Sequence, residues 1–160
     1  MKLNVLFVCL GNICRSPMAE GIFIELLEKH DMHAHFNVDS AGTSNYHSGS
    51  LPDFRMRQKA KEYGMTLTHF ARQIHKEDLQ SFDYIIAMDQ SNFKDIHSLK
   101  GENEAKAEIL LMRSFDTSKT SDDVPDPYYG GEEGFTEVYQ ILLRSNAEFL
   151  NFLIRKHKLI

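Results

Sequence analysis

Cys9-Leu10-Gly11-Asn12-Ile13-Cys14-Arg15-Ser16-Pro17 separates two segments of different periodicity. Before it stands Val5-Leu6-Phe7-Val8, a continuous apolar run with the length and β-branched content of a buried parallel strand. After it come Met18, Ile22, Phe23, Leu26 and Leu27, spaced as one face of a helix. Ser16 suits the N-cap of that helix and Pro17 its first position, where a missing N–H costs nothing. The chain therefore turns sharply from strand to helix, with a thiol at the strand's end and an arginine at the helix's start.

Such a turn makes an anion site. Unpaired N–H groups at the helix start and in the Gly11-Asn12 turn can converge on one oxyanion. Gly11 and Asn12 both tolerate the left-handed conformations that a curled loop requires. Arg15 adds a planar fork of donors matched to two phosphate oxygens. Facing the same positive field, Cys9 is expected to titrate below the roughly 8.5 of a free thiol and to act as a thiolate. Nucleophile, cradle and clamp together describe phosphoryl transfer through a phosphocysteine. Alone, a Cys ending a strand is most often a small core residue and an Arg near a helix start a solvated charge. A Cys, five residues, an Arg and a hydroxyl between strand and helix form a much more specific pattern.

The run from Val8 to Glu20, VCLGNICRSPMAE, resembles the signature of the low-molecular-weight protein tyrosine phosphatases, and Asp126-Pro127-Tyr128-Tyr129 resembles their second, acid-bearing signature. With the two motifs near opposite ends, the resemblance covers essentially the whole chain. It implies an α/β fold with four central parallel strands in the order 2-1-3-4. It makes Cys9 the nucleophile, Arg15 the phosphate clamp, Asp126 the general acid and base, and Ser16 a hydrogen-bond donor to the sulfur. Leu10, Gly11, Asn12, Ile13 and Cys14 form the phosphate-binding loop in this reading. Tyr46 takes the place of an aromatic cleft wall that is commonly Trp, and Tyr128 and Tyr129 face it, so the slot favours the long phosphotyrosine ring. Ser40 and His69 match positions that hold Asn12 in its strained turn. The resemblance also implies that Cys9 and Cys14 pair as a disulfide under oxidation. No metal or cofactor is expected, because loop amides and Arg15 do the charge stabilisation.

Composition sets the remaining bounds. The 160 residues fit one domain, 1–160, with a full-sized core. Eighteen basic against 23 acidic residues give a net charge of −5, which excludes a global field for nucleic acid and leaves phosphate attraction to a local site. The first apolar run is too short for a membrane span or a signal-peptide core, so no membrane association is expected. Two cysteines without a disulfide framework suit the cytoplasm. The expected partners are tyrosine-phosphorylated proteins or peptides, with inorganic phosphate as product and a monomeric enzyme.

Further along, Ala34 to Asp39 reads as a second strand ending in a turn-rich Ser40-Ala41-Gly42-Thr43-Ser44. His30, His33 and His35 lack zinc-site spacing and read as a solvated helix end. Pro52 to Tyr63 predicts a helix stopped by Gly64, with Arg55, Arg57, Lys59 and Lys61 on its solvated side. Phe82 to Met88 predicts a strand followed by a helix capped by Asp89, and Ala107 to Met112 a weaker strand. Ser114 to Asp126 reads as a surface loop. Phe135, Val138, Tyr139, Leu142, Phe149 and Leu153 mark a long amphipathic helix. Strands alternating with helices argue for βαβ units and an open parallel sheet covered on both faces. Three rivals to a tyrosine phosphatase are an arsenate reductase of the same fold, an arginine phosphatase and a non-catalytic phosphate-binding module. The first lacks its late cysteines here, the second carries Thr where this loop has Ile13, and the third needs neither Cys9 nor Asp126.

Overall fold

β1 (Leu3–Cys9) is the strand on which everything else is laid. A computed structural model describes residues 1–159. β1 pairs in parallel with β2 (Phe36–Gly42) from Leu3↔Phe36 to Cys9↔Gly42, and with β3 (Tyr84–Ala87) from Val5↔Tyr84 to Val8↔Ala87. β4 (Glu108–Leu111) adds to the far side of β3, so the order is β2-β1-β3-β4. An interior strand of a parallel sheet has no wet face, which is why Val5 to Val8 is apolar without alternation.

Successive side chains of β1 feed two different layers. Val5, Phe7 and Cys9 point toward α1 (Arg15–Lys29) and α5 (Glu132–His157), where Phe7, Phe23 and Phe149 meet with ring centroids 5.5 to 6.3 Å apart. Leu6 and Val8 point the other way, onto Leu79 of α3 (Asp78–Ser81) and Ile96 of α4 (Gln90–Lys100). Helices therefore cover both faces, and all six expected apolar residues of α5 are buried.

Element ends depart from the sequence reading in instructive ways. α1 begins at Arg15 with Cys14 at the N-cap, so Ser16 and Pro17 lie inside the first turn. Ser16 cannot cap because its hydroxyl is engaged by Cys9 and Asn12, and Pro17 still occupies a position whose N–H would have no helical partner. β2 starts two residues later than expected, after a 3₁₀ turn over His33–His35, and runs on through Ser40, Ala41 and Gly42. Their ladder to Phe7, Val8 and Cys9 overrides a turn-like local composition. His30 and His33 are exposed, as a solvated helix end requires.

α2 (Phe54–Glu62) is capped by Asp53, whose side chain accepts the Arg55 N–H, rather than starting at Pro52. Its basic residues are not a uniform solvated face: Lys59 is buried between Glu62 and Glu132, and Arg55 reaches across to the 126–130 segment. Asp89 caps α4 as expected, accepting the Asn92 N–H at 2.7 Å. After β4 the chain forms a 3₁₀ turn (Met112–Phe115) and a segment that is pinned rather than free. Asp116 is buried against Arg113 and Arg144, and the fully buried Val124 bonds through its N–H to the Met88 carbonyl at 2.8 Å. Among the described residues, no helix is long and apolar enough to cross a membrane.

Candidate active site

Residues 9–14 curl where β1 stops and α1 starts, at the carboxyl end of the central strand, the place where open parallel sheets bind ligands. The carbonyls of Cys9, Leu10, Ile13 and Cys14 are tied outward by the amides of Thr43, Ser44, Asp53 and Met18 at 2.7 to 3.3 Å. With those carbonyls engaged by neighbouring segments, the Asn12 N–H donates to Cys9 Sγ at 3.3 Å. Asn12 sits in the left-handed region at φ 58°, a conformation that Asn tolerates better than most residues.

The Asn12 side chain explains how that conformation is held. Its Nδ2 donates to Ser16 Oγ at 2.7 Å and to Ser40 Oγ at 3.0 Å. Its Oδ1 accepts the Arg72 N–H at 3.0 Å and lies 2.8 Å from His69 Nε2. Ser40 and His69, which locally read as ordinary polar residues, thus both contact Asn12. Ser16 Oγ lies 3.0 Å from Cys9 Sγ and 3.4 Å from the Ala41 carbonyl. Ser16 Oγ accepts from Asn12, so its own proton has two acceptors in reach, the sulfur and the Ala41 carbonyl.

Cys9, Gly11, Ile13, Cys14 and Arg15 line a cavity of about 150 Å³ together with Leu10, Tyr46, Asp126, Tyr128 and Tyr129. Cys9 is only 2 % exposed, whereas Tyr46 is 77 % and Tyr129 93 % exposed, so the cavity is deep and its aromatic rim open. Asn12, Ser16, Ser40 and His69 stand behind the loop rather than in the cavity.

Arg15 is 3 % exposed, far from the solvated charge that a helix-start arginine usually is. Its Nη1 donates to Asp89 Oδ2 at 2.6 Å and to the Val124 carbonyl at 3.0 Å, and its Nη2 lies 3.6 Å from Asp126 Oδ2. Burial acts against its charge, but Cys9, Asp89 and Asp126 outweigh that and hold its pKa above the ordinary value. Asp126 itself is open to solvent and accepts the Tyr128 N–H through Oδ1 at 3.1 Å, a short turn that aims Oδ2 inward.

Cys14 is a different thiol. Burial first, then Asp53, Cys9 and Asp126, raise its pKa steeply, so it packs as a neutral group at the N-cap of α1. Both cysteines are free. Behind the loop, burial raises Glu20 to about 7 against the opposing hydrogen bond from Ser40, and burial together with Arg72 lowers His69.

Four contributors escaped the sequence reading. His47 lines the cavity beside Tyr128, and a Cβ on Gly11 would come within 3.1 Å of its ring. Asp89 serves Arg15 as well as capping α4. Val124 offers only a carbonyl, which no side-chain pattern reveals. Arg55, held by both oxygens of Asp53, donates to the Tyr128 carbonyl at 2.8 Å and lies over the Tyr128 and Phe135 rings. Asp89 had a sequence signal for its capping role and Arg55 one in the Asp53-x-Arg55 pair at a helix start, but neither signal names the partner across the fold.

Comparison with known proteins bears on this geometry directly. The family model described as low molecular weight phosphotyrosine protein phosphatase matches residues 4–159. The human low molecular weight phosphotyrosine protein phosphatase is 45 % identical over 148 residues, covering 92 % of this chain and 93 % of that protein. The crystal structure of a protein tyrosine phosphatase from Entamoeba histolytica, with Hepes in its active site, superposes with a TM-score of 0.91 at 39 % identity, covering 98 % of this chain and 99 % of that one. An arginine phosphatase of drosophila superposes with a TM-score of 0.88 at 37 % identity, covering 95 % and 97 %. Cys9, Arg15 and Asp126 all fall inside the span that the family model covers, and on that match the chain belongs to the low molecular weight phosphotyrosine protein phosphatase family.

Proposed function

We propose that this hydrolase of phosphate monoesters removes phosphate from phosphotyrosine in proteins and peptides, and from small aryl phosphates, through a phosphocysteine. One observation carries the reading: Cys9 Sγ lies deep in a cavity that also holds Arg15 and Asp126, with Ser16 Oγ at 3.0 Å and the Asn12 N–H at 3.3 Å as donors to the sulfur. Donors aimed at sulfur stabilise it both as attacking thiolate and as leaving group.

In the first step Cys9 Sγ forms a bond to phosphorus as the bond to the aryl oxygen breaks, and Asp126 gives its proton to that departing oxygen. Arg15 and the loop amides of residues 10–14 hold the equatorial oxygens. In the second step Asp126 takes a proton from water, the water oxygen attacks phosphorus, and the S–P bond breaks to return the thiolate and release inorganic phosphate. Arg15 is positioned for this by Asp89 and Val124, which occupy Nη1 and leave Nη2 on the cavity side. The rim of Tyr46, Tyr128 and Tyr129 suits a flat ring reaching down to Cys9. We place the reaction in the cytoplasm and assign it to a monomer. Under oxidation Cys9 forms a sulfenic acid in this reading, and Cys14, five residues on in the same curled loop, traps it as a disulfide with loss of water.

Likeness to an arginine phosphatase gives the second reading, phosphoarginine hydrolysis on the same thiolate. Ile13, where arginine phosphatases carry Thr, supports the tyrosine reading. The deciding experiment is a steady-state assay on phosphotyrosine, phosphoserine and phosphoarginine peptides of one sequence. The highest kcat/KM is expected for phosphotyrosine, with none of it surviving in Cys9→Ser. A phosphoarginine rate above it overturns the substrate, and turnover by Cys9→Ser overturns the phosphocysteine.

A further inference from the structure

We propose that Arg55 is a positioning residue for the reaction, one that sets Asp126 at its working distance from Cys9 by tying the 126–130 segment to the phosphate loop; this rests on the reading of Asp126 as the acid of a phosphocysteine mechanism. Arg55 lies in the first turn of α2 and does not line the catalytic cavity, so whatever it does for the chemistry it does through other groups.

A continuous chain of hydrogen bonds runs from one loop to the other. The Asp53 N–H donates to the Ile13 carbonyl at 2.7 Å, which seats the start of α2 on the phosphate loop. The Asp53 carboxylate then grips Arg55, Oδ1 accepting from Nε at 3.1 Å and Oδ2 from Nη2 at 3.0 Å, the two-pronged pairing that fixes a guanidinium in direction as well as place. From that fixed fork Nη2 donates to the Tyr128 carbonyl at 2.8 Å and Nη1 to the Gly130 carbonyl at 3.4 Å. The Tyr128 N–H in turn donates to Asp126 Oδ1 at 3.1 Å. Tyr128 is thus held by Arg55 through its carbonyl and holds the acid through its N–H.

Little else holds the acid in place. Among the described residues, every hydrogen bond that reaches the main chain of residues 125–130 from outside comes from Arg55. Pro125 and Pro127 have no N–H to offer, and the one main-chain bond inside the segment runs from the Gly130 N–H to the Pro127 carbonyl at 3.0 Å. The same helix also meets the segment's exit, where Lys59 donates to Glu132 at 3.4 Å as α5 begins. The Arg55 side chain is 43 % exposed, so water screens its charge and its direction is what it contributes. Stacking 5.5 Å from the Tyr128 ring centroid and 4.7 Å from that of Phe135 restricts it further. A general acid works only within hydrogen-bond reach of the leaving oxygen, and misplacement by about 1 Å can cost about 10²-fold.

The experiment is a double-substitution cycle read on phenyl and nitrophenyl phosphate. Arg55→Met keeps an apolar stem against Tyr128 and Phe135 and removes the fork, while Arg55→Lys keeps the charge and loses the fork. Each is expected to lower kcat on phenyl phosphate by about 10- to 100-fold, with KM unchanged and kcat on nitrophenyl phosphate little altered. Added to Asp126→Asn, Arg55→Met is expected to cost nothing more on phenyl phosphate, because both changes remove the same function. Equal losses on the two substrates, the same loss repeated in the Asp126→Asn background, or full activity in Arg55→Met overturns the positioning role. Wild-type kcat in Arg55→Lys overturns the fork in favour of charge alone. Asp126→Asn by itself separates the two levels. If it fails to discriminate between the substrates, the acid assignment falls and this role falls with it; if it discriminates and Arg55→Met does not, the role of Arg55 alone is overturned.

Discussion

Asp126 and Asp89 both reach Arg15, yet only one of them is free to move a proton. Asp89 accepts from Arg15 at 2.6 Å through one oxygen and from the Asn92 N–H at 2.7 Å through the other, so each oxygen already has a strong donor. Asp126 spends Oδ1 on the Tyr128 N–H and keeps Oδ2 within the cavity at 3.6 Å from the guanidinium. General acid catalysis contributes about 10²–10⁴-fold, and only where the leaving oxygen needs its proton. Asp126→Asn preserves the acceptor for Tyr128 and removes the proton donor of the proposed mechanism. It is expected to slow phenyl phosphate hydrolysis by about that factor while leaving nitrophenyl phosphate little changed. Parallel kcat measurements on the two substrates check this, and equal losses on both would move Asp126 from acid to support.

At the scale of elements, the β1–loop–α1 unit depends on the strand beside it. Gly42 ends β2 directly under the loop, and a Cβ there would stand 2.7 Å from the Leu10 carbonyl oxygen and 3.2 Å from the Asn12 nitrogen. Both contacts are backbone, so no side-chain rotation relieves them. Gly42→Ala must push the loop off the sulfur, and misplacement by about 1 Å can cost about 10²-fold in rate. The expected result is a kcat/KM lower by that order with the melting transition still cooperative, and an enzyme of wild-type kcat/KM would show that the loop has slack. Strand, loop and helix were legible because their signals are local: an apolar run, a glycine, a proline, a spaced apolar face. The order 2-1-3-4 came from family resemblance and matches the observed sheet. The far supports were not legible for a physical reason. Asp89 and Val124 meet Arg15 from 74 and 109 residues away, and Val124 acts through its main chain. Arg55 sat in a basic run whose members look alike until Tyr128 is folded against one of them. The strand over Ser40 to Gly42 was hidden because its stability comes from β1 rather than from its own residues.

For the molecule as a whole, the 116–126 segment that leads to Asp126 is fastened by charge. Asp116 accepts from Arg113, from Arg144 on α5 and from the Ser118 N–H at 2.9 to 3.2 Å. Burial alone would raise its pKa, but the Arg144 hydrogen bonds, the Ser118 amide and the two guanidinium charges bring it below the ordinary carboxylate value. A depressed folded pKa contributes stability that is present above the unfolded value of about 3.9 and is lost as pH falls through the lower folded value. Thermal melts between about pH 6 and pH 2.5 are therefore expected to show a steeper acid loss in the wild type than in Asp116→Asn. Parallel curves would mean that this carboxylate does not set the acid limit.

α5 also determines when during its manufacture the chain can become an enzyme. Cys9 and Arg15 leave the ribosome before α5 does, but the apolar layer beneath them, Phe7 and Phe23 included, is closed by Phe149 and its neighbours in that helix, Glu132–His157. A nascent chain that already carries both Cys9 and Asp126 still presents bare aromatic surface until residues 132–157 have emerged. This layer of the core is thus sealed only after α5 has emerged, and the interval before it closes is the one in which the polypeptide is open to aggregation and to chaperones.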